Sequence, residues 1–363
     1  MPNEVFLTGA TGYIGSHLLK TWLEKTDQRI NLLVRRRRNL SPQDRIAMAM
    51  RDIDAASLLN KLKDRIGIVE GDVSQDSLGM NQSDFDALTG NVSEIIHCAA
   101  AARFDLSLED ARKTNVDGVN NLITLAAKCS GLKRFDYVGT AYVAGERSGL
   151  VLESQLATVP SHRNTYEQSK FEAEALLREW MDRLPITVSR PSIVICDSRT
   201  GKASNHNGFY RALKAYMLYG LSMLPGEADS VLDLVPVDYV CEALFRISRD
   251  PESIGRYYHL AAGSNATTLG EIQKLSSQYS GRPKFNIVSH ESFMEFLSKA
   301  GAVMTEEQFK AIEEMQRYEP YLHCHSTFDT TNTIRDTHLQ APMVGDYFHK
   351  FAEQILAESS RMA

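Results

Sequence analysis

Three glycines in the run Thr8-Gly9-Ala10-Thr11-Gly12-Tyr13-Ile14-Gly15 constrain this chain more than any other feature. They stand directly after a short apolar run, residues 5–8, and open a helical stretch, residues 17–24. In that setting each glycine has its own reason. Gly9 permits a sharp turn, Gly12 lets backbone approach a pyrophosphate, and Gly15 allows a helix to pack closely on a strand. The helix start offers unpaired N–H groups and a positive dipole end to an anion. The spacing therefore predicts a dinucleotide cradle.

Further short apolar runs at residues 30–34, 66–70, 95–98, 135–138 and 186–189 alternate with helical stretches, the clearest at residues 116–129 and 167–181. Such alternation predicts a parallel sheet covered on both faces by helices. After Pro191 the pattern loosens, although residues 257–260 read as a late strand returning to the sheet. The expected fold is α/β, a Rossmann-type doubly wound parallel sheet with a smaller, helix-rich C-terminal substrate lobe. Residues 1–195 form the nucleotide-binding domain, with about 230–262 returning to it. Residues 196–230 and 263–363 form the lobe.

A dinucleotide site that takes NAD usually places a carboxylate near the end of the second strand, against the ribose 2′-hydroxyl. Here residues 31–34 run instead into Arg35-Arg36-Arg37-Arg38. Guanidinium forks suit a 2′-phosphate, so the cluster predicts NADPH, with Arg35 first and Arg36 second as its ligands. A solvated basic loop or a nuclear-import-like run is the alternative for the cluster, and Arg37 and Arg38 fit a solvated role.

The 363 residues suffice for one large domain or a domain with a lobe. A net charge of -6 argues against a nucleic-acid partner. The five cysteines are scattered and odd in number, which fits a reducing compartment. No signal peptide is recognisable at the N-terminus, and no window approaches a membrane-spanning length. The expectation is a cytoplasmic protein without integral membrane association, monomeric or homodimeric.

Tyr166-Glu167-Gln168-Ser169-Lys170 places a phenol and an ammonium on one helix face. The ammonium is expected to lower the phenol's pKa, so that it exchanges a proton near neutral pH. Tyr210 and Lys214 repeat the spacing but fall after the sixth strand run, and are read as a helix surface of the lobe. Thr140 follows a strand's carboxyl end, where ligands bind in doubly wound sheets, and its hydroxyl can polarise a carbonyl. These residues point to an oxidoreductase acting at a carbonyl carbon. Tyr166, Lys170 and Thr140 are the candidate catalytic residues.

Together with Gly71-Asp72-Val73, Cys98-Ala99-Ala100, Asn115-Val116 and Arg190-Pro191-Ser192, these motifs resemble the extended short-chain dehydrogenases/reductases over about residues 1–262. Several features are similar to the fatty acyl and thioester reductase, or male-sterility-type, group. They are Glu70-Gly71-Asp72 followed by Leu78-Gly79, Ala102-Arg103-Phe104, the six residues 140–145, the five residues 197–201, and the seven residues 234–240. Gly139 departs from the serine common there. The resemblance implies that Asp72 and Val73 flank the adenine and that Ala99 and Ala100 line the pyrophosphate–nicotinamide path. It also implies that Pro191 to Ile193 contact the nicotinamide and that Asn115 sits in a proton relay or helix bend. The implied activity is NADPH-dependent reduction of an acyl thioester, on CoA or an acyl-carrier protein, to an aldehyde or onward to an alcohol. A sugar-nucleotide epimerase/dehydratase or a hydroxysteroid-type dehydrogenase is the alternative. A nucleotide sensor without chemistry would have no use for Tyr166 and Lys170.

His323-Cys324-His325 is too closely spaced for an ordinary zinc site, and no metal is expected. Phe209, Tyr216, Tyr219 and Leu221 read equally as an acyl channel or as a core stripe.

Overall fold

The computed structural model describes residues 3–37, 39–154, 156, 161–203, 208–300, 309, 312–313 and 316–362, so Arg38 lies outside the described residues. Seven strands make one sheet: β1 (Glu4–Thr8), β2 (Arg29–Val34), β3 (Ile66–Glu70), β4 (Val92–His97), β5 (Arg134–Val138), β6 (Ile186–Pro191) and β7 (Tyr257–Leu260). Their order is β7-β6-β5-β4-β1-β2-β3 and every neighbouring pair is parallel. The order reverses between β1 and β4, and in such sheets the crevice beyond the strand ends at that point holds ligands.

Apolar runs become strands here because both faces are covered. Val5, Leu7, Ile30 and Leu32 pack with the helices Tyr13–Lys25 and Val237–Arg249 on one face. Phe6, Ile95, Phe135 and Val188 pack with Asp117–Lys128 and Thr165–Arg178 on the other. A third apolar cluster joins the helices Gly208–Met217, Leu269–Ser280 and Val344–Met362. Chain from two distant regions lies against the sheet body. Residues 237–260 supply a covering helix and the last strand, and the helix Thr331–Thr337 packs on both.

Residues 197–203, in the motif Asp197-Ser198-Arg199-Thr200-Gly201, form a brace between the sheet body and the third cluster. Asp197 Oδ1 accepts from the Arg199 and Thr200 backbone N–H groups, and the Asp238 carboxylate accepts from Ser198 N–H at 2.8 Å. Gly201 has a φ of +73°, and a Cβ there would stand 2.2 Å from the Lys350 carbonyl oxygen. Only glycine allows that approach. Among the described residues no helix is long and apolar enough to cross a membrane.

Candidate active site

The cradle is built where β1 meets the helix Tyr13–Lys25. Gly9 sits at a φ of +80°, and a Cβ on it would lie 2.5 Å from the Ala99 backbone nitrogen. A Cβ on Gly15 would lie 2.0 Å from the Gly9 carbonyl oxygen. The two glycines thus let β1, β4 and the helix converge. Gly12 is the helix N-cap, and no side chain caps that end, which leaves its first N–H groups for a ligand. Gly9, Thr11, Gly12, Arg35, Ala99 and Ala100 line a cavity of about 270 Å³, and Val73 closes it. The side chains of Tyr13 and Ile14 are directed elsewhere, although their backbone N–H groups open the helix. The Tyr13 hydroxyl donates to the Lys202 carbonyl at 3.0 Å, and Ile14 packs into the sheet-face core.

Beside this cavity lies a second of about 640 Å³, lined by Arg35, Arg36, Arg37, Arg45, Glu70 and Asp72. Arg35 reaches Asp72 at 3.4 Å, and Arg36 forms a two-pronged pair with Glu70 at 2.9 and 2.7 Å. Asp72 is held below the ordinary carboxylate range. Burial opposes this, but the Ser74 N–H and hydroxyl and the Arg35 guanidinium outweigh it. Arg45, which the sequence reading missed, donates to Thr11 Oγ1 at 3.0 Å and to the Arg35 carbonyl at 2.6 Å. Burial, then Arg35 and Arg37, push against its positive charge. Four guanidiniums face two carboxylates, a surplus that an anion relieves.

Arg45 comes from a helix, Pro42–Asp52, that periodicity alone did not reveal. Its start carries a local signal: Ser41 and Asp44 form a reciprocal capping box and Pro42 occupies the first helical position. His97 was missed as well. Its Nδ1 lies 2.7 Å from Thr8 Oγ1, which accepts from the Ala99 N–H at 3.3 Å, so it ties the glycine turn to β4. Burial pushes its pKa down to about 3, so the ring is neutral.

The chemistry-bearing side chains converge past the ends of β5 and β6. Thr140 and Tyr166 line a third cavity, of about 230 Å³, together with Ile193 and a set of aromatic rings. Both hydroxyls face the same cavity, and the Thr140 hydroxyl favours the ionised form of the Tyr166 phenol. Lys170, one turn on from Tyr166, is almost wholly buried. It donates to the Val138 carbonyl at 2.9 Å and stands 4.2 Å from the Tyr137 ring centre. The expected effect of the ammonium on the phenol is corrected. Burial raises the Tyr166 pKa above its ordinary value, partly offset by the Thr140 hydroxyl, and keeps the phenol protonated. Burial also pushes Lys170 down to about 8, against the pull of Cys98 and Glu174.

Asn115 stands at the break between the helices Leu108–Asn115 and Asp117–Lys128. Its Oδ1 accepts from the Ala101 N–H at 2.8 Å and its Nδ2 donates to Ser169 Oγ at 2.9 Å. It therefore joins the β4 loop to the helix bearing Tyr166. Pro191 is buried at the end of β6, whose Arg190 forms a buried ion pair with Glu174 on the same helix as Tyr166.

The second tyrosine–lysine pair is not a surface. Tyr210 is buried, and both its hydroxyl and Lys214 Nζ bond the Glu358 carboxylate in the helix Val344–Met362. Phe209 lines the third cavity, whereas Tyr216 and Leu221 belong to the third apolar cluster. Tyr318 and Tyr321, which the sequence does not single out, line the third cavity as well. His323 and His325 both face Glu227, at 3.3 and 3.0 Å, while Cys324 is buried against Arg163. Among the described residues no three His, Cys, Asp or Glu side chains are placed to hold a metal ion.

A family model described as male sterility protein matches residues 7–244. The chain belongs to the male-sterility protein family. A fatty acyl-CoA reductase 1 from Xenopus laevis is 27% identical over 316 residues, covering 74% of this chain and 60% of that protein. A non-canonical nonribosomal peptide synthetase, FrzA, from a Cladobotryum species is 27% identical over 92% of this chain but only 34% of its own length. The chain thus spans about one third to three fifths of these curated relatives. The crystal structure of the terminal R domain from the myxalamid PKS-NRPS biosynthetic pathway superposes with a TM-score of 0.87 at 28% identity, over 99% of this chain and 92% of that one. The glycine turn, Thr140 and the helix bearing Tyr166 and Lys170 all fall within the matched stretch.

Proposed function

We propose that this member of the family is an NADPH-dependent reductase of acyl thioesters, with the acyl group carried on CoA or on a carrier protein. The observation that carries the reading is the third cavity. The Thr140 and Tyr166 hydroxyls stand there with that of Ser192 in a wall that is otherwise aromatic and apolar, and the described lining residues include no charged side chain. A nucleotide sugar brings a diphosphate, which is best held by charged side chains, and the described lining residues present none.

When bound, the nicotinamide supplies a hydride to the carbonyl carbon. The residues of the chain manage the rest. As that carbon becomes tetrahedral, charge builds on its oxygen, and the Thr140 and Tyr166 hydroxyls donate hydrogen bonds to it. A protonated phenol is the state in which Tyr166 can donate, and burial maintains that state. The C–S bond of the resulting thiohemiacetal then breaks, the thiolate departs and takes up a proton, and the carbonyl of the aldehyde re-forms. Because the thiolate is a good leaving group, no metal is required. Reduction of the aldehyde to the alcohol repeats the first step.

For the cofactor, the uncapped helix start at Gly12 fits a pyrophosphate. The guanidinium surplus of Arg35, Arg36 and Arg45 supports a 2′-phosphate. Asp72 and Val73 flank the adenine, and Pro191 and Ile193 stand beside the nicotinamide. The test follows NADPH absorbance together with free thiol. Long- and short-chain acyl-CoAs should yield one thiol for the first NADPH consumed, unaffected by chelators. Consumption with ketones or UDP-sugars and none with any thioester would overturn the reading.

A further inference from the structure

Resting on the thioester-reductase reading, we propose that the acyl group taken by this cavity carries an aromatic ring close to its carbonyl, in preference to a long alkyl chain. The walls are rings held in fixed places. Phe104 lies 4.7 Å from Tyr318 and stacks on Tyr321 at 5.6 Å, centre to centre, and Tyr142 meets Tyr321 edge-on at 4.9 Å. The Tyr321 hydroxyl accepts from Asn164 Nδ2 at 2.9 Å, which fixes its tilt. Tyr318 lies flat against Gly208, where a Cβ would come within 1.9 Å of its ring carbons. Any other residue at 208 would displace that wall.

Three considerations converge on an aryl occupant. Aromatic partners reward another ring through complementary edges and faces, beyond what burial of an alkyl chain returns. The cavity, about 230 Å³, is larger than the ~150 Å³ that holds benzene and smaller than the ~300–1,000 Å³ of pockets for larger ligands. It therefore suits a ring with a few carbons. The cage also begins one ring's width from the phenol that holds the carbonyl oxygen, since Phe104 and Tyr166 are 5.8 Å apart. That spacing puts the ring one or two carbons from the reacting centre. A cationic chain, which aromatic cages can also bind, is disfavoured here. Arg211 and Arg317 both lie around Tyr318, and Arg317 pairs with Asp105 at 3.4 Å.

The experiment compares kcat/KM of the whole chain for phenylacetyl-, cinnamoyl-, hexanoyl-, 6-aminohexanoyl- and palmitoyl-CoA, reading NADPH loss and thiol release together. The aryl thioesters should exceed the others by about tenfold, the advantage expected from one or two ring contacts. In Phe104→Leu that ratio should collapse toward one. The wild-type series decides the matter even if the variant does not fold. Thiol release that is fastest with hexanoyl, palmitoyl or aminohexanoyl groups would overturn the aryl assignment and leave the thioester reading standing. Release with no thioester, beside turnover of simple carbonyls, would overturn both.

Discussion

Burial holds the Lys170 amine near pH 8, below the ordinary lysine value of 10.5, and the direction of that shift governs two measurable properties. The folded chain gives up this proton more readily than the unfolded chain. The penalty for burying the charge is therefore present in full below pH about 8 and is relieved as pH rises toward 10.5. Lys170→Met should raise stability in urea titrations at pH 7 by about 1–3 kcal/mol, after allowing for the lost bond to Val138, with a smaller gain at pH 9.5. The same variant should lose turnover, and kcat/KM of the wild type should fall through pH about 8 as the ammonium is lost. Tyr166→Phe should cost about 10²–10⁴ in turnover with cofactor binding retained, as checked by fluorescence titration. Tyr210→Phe should lower stability by about 1 kcal/mol through its Glu358 bond while leaving activity per folded molecule unchanged. Arg45→Ala should weaken NADPH by about 1–3 kcal/mol and NADH little, as read by calorimetry. Thr140, Tyr166 and Lys170 could be picked out from the sequence because their local spacing and their place after a strand are properties of neighbours in the chain. His97, Tyr318 and Tyr321 could not, since each matters through partners far away in sequence. Arg45 lies between the two cases, announced by a capping box but needing the fold to bring it over Thr11.

At the scale of elements, the helix Thr165–Arg178, which bears Tyr166 and Lys170, is positioned by a buried charge pair. Arg190 at the end of β6 meets Glu174, and its guanidinium also stands 4.8 Å from the Tyr257 ring centre on β7. Such a pair adds little relative to well-packed apolar residues, but breaking one side strands the other charge. Arg190→Leu should therefore cost about 3–5 kcal/mol in chemical unfolding, with the near-ultraviolet signal of the site lost first on titration. The strands were legible as apolar runs because a sheet covered on both faces demands little else, and all seven runs lie within or overlap observed strands. The third apolar cluster was less legible. Its helices Gly208–Met217 and Val344–Met362 carry apolar faces that fit a surface helix as well as a buried one. Only their mutual packing, with Tyr210, Lys214 and Glu358 between them, decides which.

Across the whole molecule, three contacts run in series from the cradle to the far helix. The Tyr13 hydroxyl at the head of the first helix bonds the Lys202 carbonyl, Gly201 presses on the Lys350 carbonyl, and Lys350 Nζ returns to the Ser198 carbonyl at 3.2 Å. Gly201→Ala should destabilise by about 1–3 kcal/mol, through both its positive φ and the collision with Lys350, and lower the midpoint of thermal unfolding accordingly. The series also makes the helix Val344–Met362 a reporter of a ligand it never touches. If fraying of that helix loosens the brace and so the turn at Tyr13, every opening must first forfeit part of the dinucleotide's binding energy. Amide protons along Val344–Met362 should then trade with deuterium more slowly when the cofactor is saturating, whereas equal rates with and without it would mean that the brace transmits nothing.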